Sequence, residues 1–212
     1  MSPTAENLSK DVLTIQHSLD GFSYFIIDNN RNTFVPKEVF QERDKEKYID
    51  ILGLTDKDSV ICTDFISLAD AYNVFAVSKN DYDILQNISK KPEIHHASSV
   101  LVASLIKDNM ERTDDARVYL NIKDQSFEMI VLKGCDLLFT NHFRFKTKED
   151  FLYFLLFSIE QLHLDAGSVP VYFLGMIEED SAIVDITARY MRDIRFMGND
   201  YNVLNKAKTC EL

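Results

Sequence analysis

Glycine is scarce in this 212-residue chain, with six in all: Gly21, Gly53, Gly134, Gly167, Gly175 and Gly198. No two of them stand in a G-x-G or G-x-x-x-x-G-K spacing. Loops that cradle phosphate need glycine so that backbone N–H groups can come close to the oxygens. A P-loop and a dinucleotide-binding fingerprint are therefore excluded. Tryptophan is absent, and the three cysteines, Cys62, Cys135 and Cys210, are odd in number and widely spaced. That pattern is neither a disulfide framework nor a zinc site, and it fits a reducing cytoplasm. Positive charge is also short: 23 Lys and Arg against 34 Asp and Glu give a formal net charge of −11. Such a field repels phosphate backbones and anionic lipid, so nucleic-acid and membrane-surface partners are not expected. Lys90-Lys91 and Lys206/Lys208 are too short to form a basic patch. The longest apolar stretch, Phe151–Ile159, falls well below the roughly 20 residues that span a bilayer. The opening Met1–Asp11 is polar, which predicts no secretory signal. A cytoplasmic protein is expected.

Hydrophobic residues make up 46% of the chain, enough for a sizeable core. The clearest pattern runs from Arg117 to Met197. Apolar runs and turn residues predict strands at Arg117–Lys123, Phe127–Lys133 and Leu137–Lys146, then a helix over Lys148–Leu164. A strand Val169–Leu174, a helix Ser181–Arg192 and a strand Asp193–Met197 follow. Thr147 with Asp150 three residues on predicts a capping box for the long helix, with Asp in place of the usual Glu. Because that helix is apolar on nearly every face, burial on all sides is expected.

A weaker copy of the pattern precedes it. Val12–Leu19, Phe22–Asp28 and Thr33–Pro36 read as a β-meander turning at Asp20-Gly21 and at Asn29–Asn32. A helix around Lys45–Leu52 is ended by Gly53. Strands at Ser59–Ile66 and Tyr72–Val77 come next. Ser78 is placed to cap a helix over Lys79–Ser89, which Pro92 stops. A brief strand Glu93–Ala97 leads to a helix capped by Ser98 or Ser99 and running to about Met110. The polar stretch Asn109–Ala116 predicts a boundary, giving domains 1–111 and 112–198 and a tail 199–212. The fold class is α/β, mixed with α+β: two tandem β-β-β-α-β-α-β halves of ribonuclease-H/actin type.

The reactive residue types have simpler explanations than catalysis. His95 and His96 are adjacent on a strand, point to opposite faces, and cannot chelate one ion together. Cys62 lies in a predicted strand as a small core residue. Cys135 sits in a turn beside Gly134 with no base identified near it. Ser98-Ser99 lacks the G-x-S-x-G setting of a nucleophile and suits a helix start. The acidic run Glu178-Glu179-Asp180 stands before a helix, where negative charge is favoured by the dipole. The aromatics recur at core spacings without the basic groove that single-strand binders need. A ribonuclease-H type nuclease would need acids on inward strand positions, and none is placed there.

Two such halves in tandem resemble the actin-like ATPase superfamily, including its cell-division and pilus-assembly members. Closer still is a likeness to a domain-of-unknown-function family, number 3822, found mainly in Bacteroidetes. It is carried by Leu19-Asp20-Gly21-Phe22-Ser23, by Ile94-His95-His96-Ala97-Ser98-Ser99, and by Glu149–Phe157 running on to Glu160-Gln161-Leu162. The likeness covers about Leu13 to Met197 and implies an actin-like fold with no established activity.

The superfamily resemblance also implies where a nucleotide would sit. Its ATPases carry an Asp at the end of the first strand of each half, organising Mg²⁺ and water beside the phosphates. Here the matching positions are amides, Gln16 in the first half and Asn121 in the second, with Asp20 as a shifted substitute for the former. Amides bind Mg²⁺ weakly and take no proton. Lys123 replaces the phosphate-loop glycine, and the paired glycines of the adenosine site reduce to Gly175.

The expected protein is a pseudo-ATPase: a catalytically inactive binding or scaffolding module with no cofactor. Its partner would be an unidentified protein or a second copy of the chain, met at the cleft between the halves or at a sheet edge. The alternative is a divergent ATPase or phosphotransferase binding ATP and Mg²⁺. It would use Asp20, Ser18 and Ser23, with Lys123 meeting the γ-phosphate.

Overall fold

Strands covered on both faces read as continuous apolar runs. Ser126–Lys133, SFEMIVLK, is such a run, and all of it but Lys133 is buried. The computed structural model describes residues 12–16, 23–41, 47–54, 58–88, 93–110, 115–197 and 206, with backbone alone at 13–16, 23 and 24. The strands are β1 Val12–Gln16, β2 Ser23–Ile27, β3 Asn32–Pro36, β4 Ser59–Ile66, β5 Ala71–Ser78, β6 Glu93–His96, β7 Ala116–Lys123, β8 Ser126–Lys133, β9 Asp136–Arg144, β10 Val171–Gly175 and β11 Ile194–Phe196. The helices are α1 Lys47–Ile51, α2 Lys79–Ile88, α3 Ala97–Asn109, α4 Lys148–Gln161 and α5 Ala182–Thr187. The chain forms two compact units that divide between Ser104 and Leu105, within α3.

The second unit holds one five-stranded mixed sheet ordered β11-β10-β7-β8-β9. β7, β8 and β9 form consecutive antiparallel pairs, while β10 runs parallel to both β7 and β11. This is the β-β-β-α-β-α-β order read from the sequence. One face carries Val118, Leu120, Ile122, Phe127, Met129, Val131, Val171 and Phe173, packed against Phe151, Leu155 and Ile159 of α4 and Val184 of α5. Aromatic rings tie these layers together: Phe127 lies 4.7 Å from Phe151, and Phe143 lies 5.0 Å from Phe154, centroid to centroid. The capping box is present, with Asp150 N–H donating to Thr147 Oγ1 and Thr147 N–H donating to Asp150 Oδ2, each at 3.1 Å.

Two expectations for this unit are corrected. The predicted long helix Ser181–Arg192 is short, only Ala182–Thr187, capped by the Ser181 hydroxyl. And α4 is not buried all round: Tyr153 and Phe157 are 61% and 46% exposed and stack on one another at 5.9 Å. The helix buried on every face, from Ala97 to Ile106, is α3 instead, where Val100, Leu101, Val102, Ala103, Leu105 and Ile106 are all fully covered and only Lys107 and Asp108 near its end are exposed. Its sequence, ASSVLVASLIKDN, is interrupted by serines, but these are buried too, and Ser99 Oγ accepts a hydrogen bond from Asn73 Nδ2.

The first unit corrects the meander. β2 pairs antiparallel with β1 and parallel with β6, while β3 pairs with β5, which in turn pairs with β4. Two three-stranded sheets result, β1-β2-β6 and β3-β5-β4. The turn between β2 and β3 therefore joins two sheets rather than a hairpin. Asn29 there accepts the Arg31 N–H through Oδ1 and donates from Nδ2 to the carbonyl of Ala76. α1 ends at Gly53, whose φ of +64° is the left-handed conformation glycine adopts without strain. Ser78 caps α2 as expected, its Oγ accepting the Asp81 N–H. Cys62 is half-buried against the cluster of Ile27, Phe75 and Val77. The predicted turn at Asp20-Gly21, the stop at Pro92, and the tail 199–212 apart from Lys206 lie outside the described residues.

Candidate functional site

In an open sheet, ligands bind beyond the C-terminal ends of the strands, where neighbouring parallel strands continue in opposite directions. The second unit has one such point, between β7 and β10. β7 turns through Asp124-Gln125 into β8 on one side, and β10 leads towards α5 on the other. A groove of about 940 Å³ opens there, with Lys123, Asp124, Phe145, Gly175, Met176 and Glu178 among its lining residues.

The parallel register sets Asn121 beside Leu174 and Ile122 beside Gly175. Gly175 has φ +80°, and a Cβ on it would collide with the Ile122 carbonyl and stand 2.7 Å from Asn121 Oδ1. Only glycine lets the two strands close in this way. Met176 N–H then donates to that same carbonyl at 2.8 Å. Three of the residues singled out in the sequence, Asn121, Lys123 and Gly175, thus meet at one end of one sheet. Ser18 and Asp20 lie outside the described residues, and of Gln16 only the backbone, in β1, is described.

The register also brings together two residues that sequence reasoning missed. Glu128 of β8 lies opposite Asn121 on one side and His142 of β9 on the other. Glu128 is 1% exposed, and its Oε1 stands 3.6 Å from His142 Nε2, within ion-pair range and beyond hydrogen-bond length. No hydrogen bond to that oxygen is present among the described residues. The expectation of no acid on the inward strand positions is corrected by Asp64 of β4 in the first unit and, here, by this carboxylate. It was detectable as the lone acid in an apolar strand. It does not make a cluster: among the described residues, no three His, Cys, Asp or Glu side chains are grouped to hold a metal ion.

The end of β7 carries the Asn121 amide and Lys123, and the buried Glu128 carboxylate faces His142. What the groove offers is an apolar floor, one lysine and two carboxylates, Asp124 and Glu178.

His95 and His96 are structural in the first unit. Asp64, 4% exposed, takes His95 Nδ1 on Oδ1 at 3.0 Å and the His96 N–H on Oδ2 at 2.8 Å. His96 Nδ1 accepts the Ser98 N–H, which places the proton on Nε2, facing the Asn29 carbonyl. The cap of α3 is thus His96, not Ser98 or Ser99. Burial pushes the His95 pKa down, but the hydrogen bond and charge of Asp64, with the charge of Glu93, outweigh it and hold it above 6.5.

No helix among the described residues is long and apolar enough to cross a membrane. The structure is similar to that of a Bacteroides thetaiotaomicron protein with an actin-like ATPase fold and unknown function, at TM-score 0.81 and 17% identity, covering 88% of this chain and 72% of that one. It is also similar to the PilM–PilN type IV pilus biogenesis complex, at TM-score 0.51 and 11% identity, over 92% of this chain and 74% of the other. The fold is that of the actin-like ATPases. No curated protein matches by sequence. Residues 25–194 match the model of a family described as protein of unknown function, DUF3822, and the chain belongs to that family.

Proposed function

We propose that this protein is a binding or scaffolding module that keeps the actin-like fold without ATP hydrolysis and works in the cytoplasm. The observation that carries the reading is Asn121. At the end of β7, beside Gly175, the position that would organise Mg²⁺ holds an amide, which coordinates the ion weakly and cannot accept a proton. Hydrolysis needs charge stabilisation around the transferred phosphate, and Lys123 alone does not supply it. The chain matched in the PilM–PilN structure belongs to a complex, which supports the fold's use as a docking body.

The rival reading is a divergent ATPase or phosphotransferase, favoured by the place of Lys123 on the groove. Titration calorimetry of the full chain with ATP, with and without Mg²⁺, separates the two. No heat at millimolar ATP is expected. Micromolar, Mg²⁺-dependent binding that Lys123→Ala abolishes would overturn the binding-module reading.

A further inference from the structure

The groove at the ends of β7 and β10 has an uncommon make-up for a phosphate-binding crevice. Its floor is core that the fold leaves partly uncovered. Phe145, Ile177 and Ile183 pack against the main apolar cluster yet remain half-exposed along the groove. Met176 stands at its mouth with 77% of its surface exposed. Methionine is flexible and polarisable, and it is favoured where one surface must fit an apolar guest of variable shape. Single exposed hydrophobics need no explanation, but an exposed methionine over a concave apolar floor marks a docking surface.

Charge selects the guest. Of the groove's ionisable side chains, Lys123 is outnumbered by Asp124 and Glu178. Glu179 and Asp180, both exposed, extend the acidic side along the same loop. The chain as a whole carries −11, so a cationic partner is drawn to it from a distance and an anionic one is repelled.

We infer that this groove docks a basic, apolar-anchored peptide segment of a partner protein. Its apolar side chains would enter between Met176 and the Phe145/Ile177/Ile183 floor, and its Lys or Arg residues would meet Asp124 and the Glu178–Asp180 loop. The inference rests on the reading of the protein as a binding module, and it gives that module's partner a chemistry. Acidic side chains before α5 also favour its N-terminus. That accounts for charge in the loop but not for the uncovered apolar floor or for Met176.

The test uses the full chain and fluorescence anisotropy at near-physiological salt, with three labelled synthetic peptides. One is an amphipathic Leu/Lys peptide, one its Leu/Glu counterpart, and one a Gly/Lys peptide of the same charge as the first. The Leu/Lys peptide is expected to bind at least about tenfold more tightly than either of the others. Met176→Asp, a surface change, is expected to weaken it about tenfold, the scale of one lost anchor. The triple change Glu178→Lys, Glu179→Lys and Asp180→Lys should weaken it similarly and admit the Leu/Glu peptide. Asp136→Lys with Glu160→Lys, which changes charge elsewhere on the same unit, should leave binding within about twofold.

Equal affinity for both cationic peptides would overturn the inference, because diffuse attraction would then suffice. So would equal losses from the two charge changes, or no binding of the Leu/Lys peptide. ATP calorimetry on the same sample keeps the two ideas apart. If neither peptide nor ATP binds, the groove assignment falls and the module reading stands; if ATP binds with Mg²⁺, the module reading falls.

Discussion

Asp64 uses both oxygens, and the two bonds have different consequences. Oδ2 holds the His96 backbone and so the start of α3, while Oδ1 holds a titratable ring. Because the folded state keeps His95 above 6.5, it binds that proton more tightly than the unfolded chain does. The sign follows from linkage. The resulting stabilisation is fully present below pH 6.5 and is lost as pH rises through the folded-state value. Denaturant midpoints measured from pH 5.5 to 8.5 should therefore fall towards the alkaline end more steeply in the wild type than in His95→Gln. Parallel profiles would mean that the Asp64–His95 pair does not couple folding to the proton. The ring is partly exposed, so screening moderates the effect.

At the scale of elements, α3 and α4 exchange the roles that their sequences suggest. α4 carries the aromatics, and its outward Tyr153 and Phe157 stack on each other, with Phe154 edge-on to Tyr153. α3 carries small and branched residues that are covered on every side up to Ile106, with its buried polar groups hydrogen-bonded. Asn109 shows this: Oδ1 takes Arg117 Nη1 and Tyr119 Oη, each at 2.9 Å, while Nδ2 donates to the Leu105 carbonyl. Apolar content alone measures how much surface a helix can bury, not how much its neighbours cover. The difference is measurable within α4. Leu155→Ala, at a fully buried site, should cost about 2–5 kcal/mol in urea unfolding. Tyr153→Ala, 61% exposed, should stay within about 0.5 kcal/mol. Comparable losses at the two positions would place the outer face of α4 in a core.

Across the whole molecule, legibility followed the range of the contacts. The second unit could be read because β7, β8 and β9 pair with their sequence neighbours, and the crossover from β9 through α4 to β10 is the standard βαβ step. The first unit was misread where pairing is distant: β2 finds β6 at a separation of 69 residues, in the register Tyr24 to Glu93 and Ile27 to His96, and no local signal encodes that choice. The candidate site divides in the same way. Asn121, Lys123 and Gly175 stand at strand ends, where pattern places them, whereas the Glu128–His142 pair exists only through the β8–β9 register.

The same ranking by range predicts where the molecule opens first. β7 is paired on both sides, by β10 and β8, and Val118, Tyr119 and Leu120 are fully buried. β9 is one edge of the sheet, with no fully buried residue along its length, and its His142 N–H is held by the neighbouring Asn141 side chain. Exchange of an amide requires its hydrogen bond to open, and central strands open only with the core. In native-state hydrogen exchange, Val118–Leu120 should be among the slowest amides, and His142 should exchange by local fraying with little dependence on denaturant. Were the His142 amide to exchange as slowly as Tyr119, the edge would be covered in solution. A partner strand along β9 would then be the surface to map.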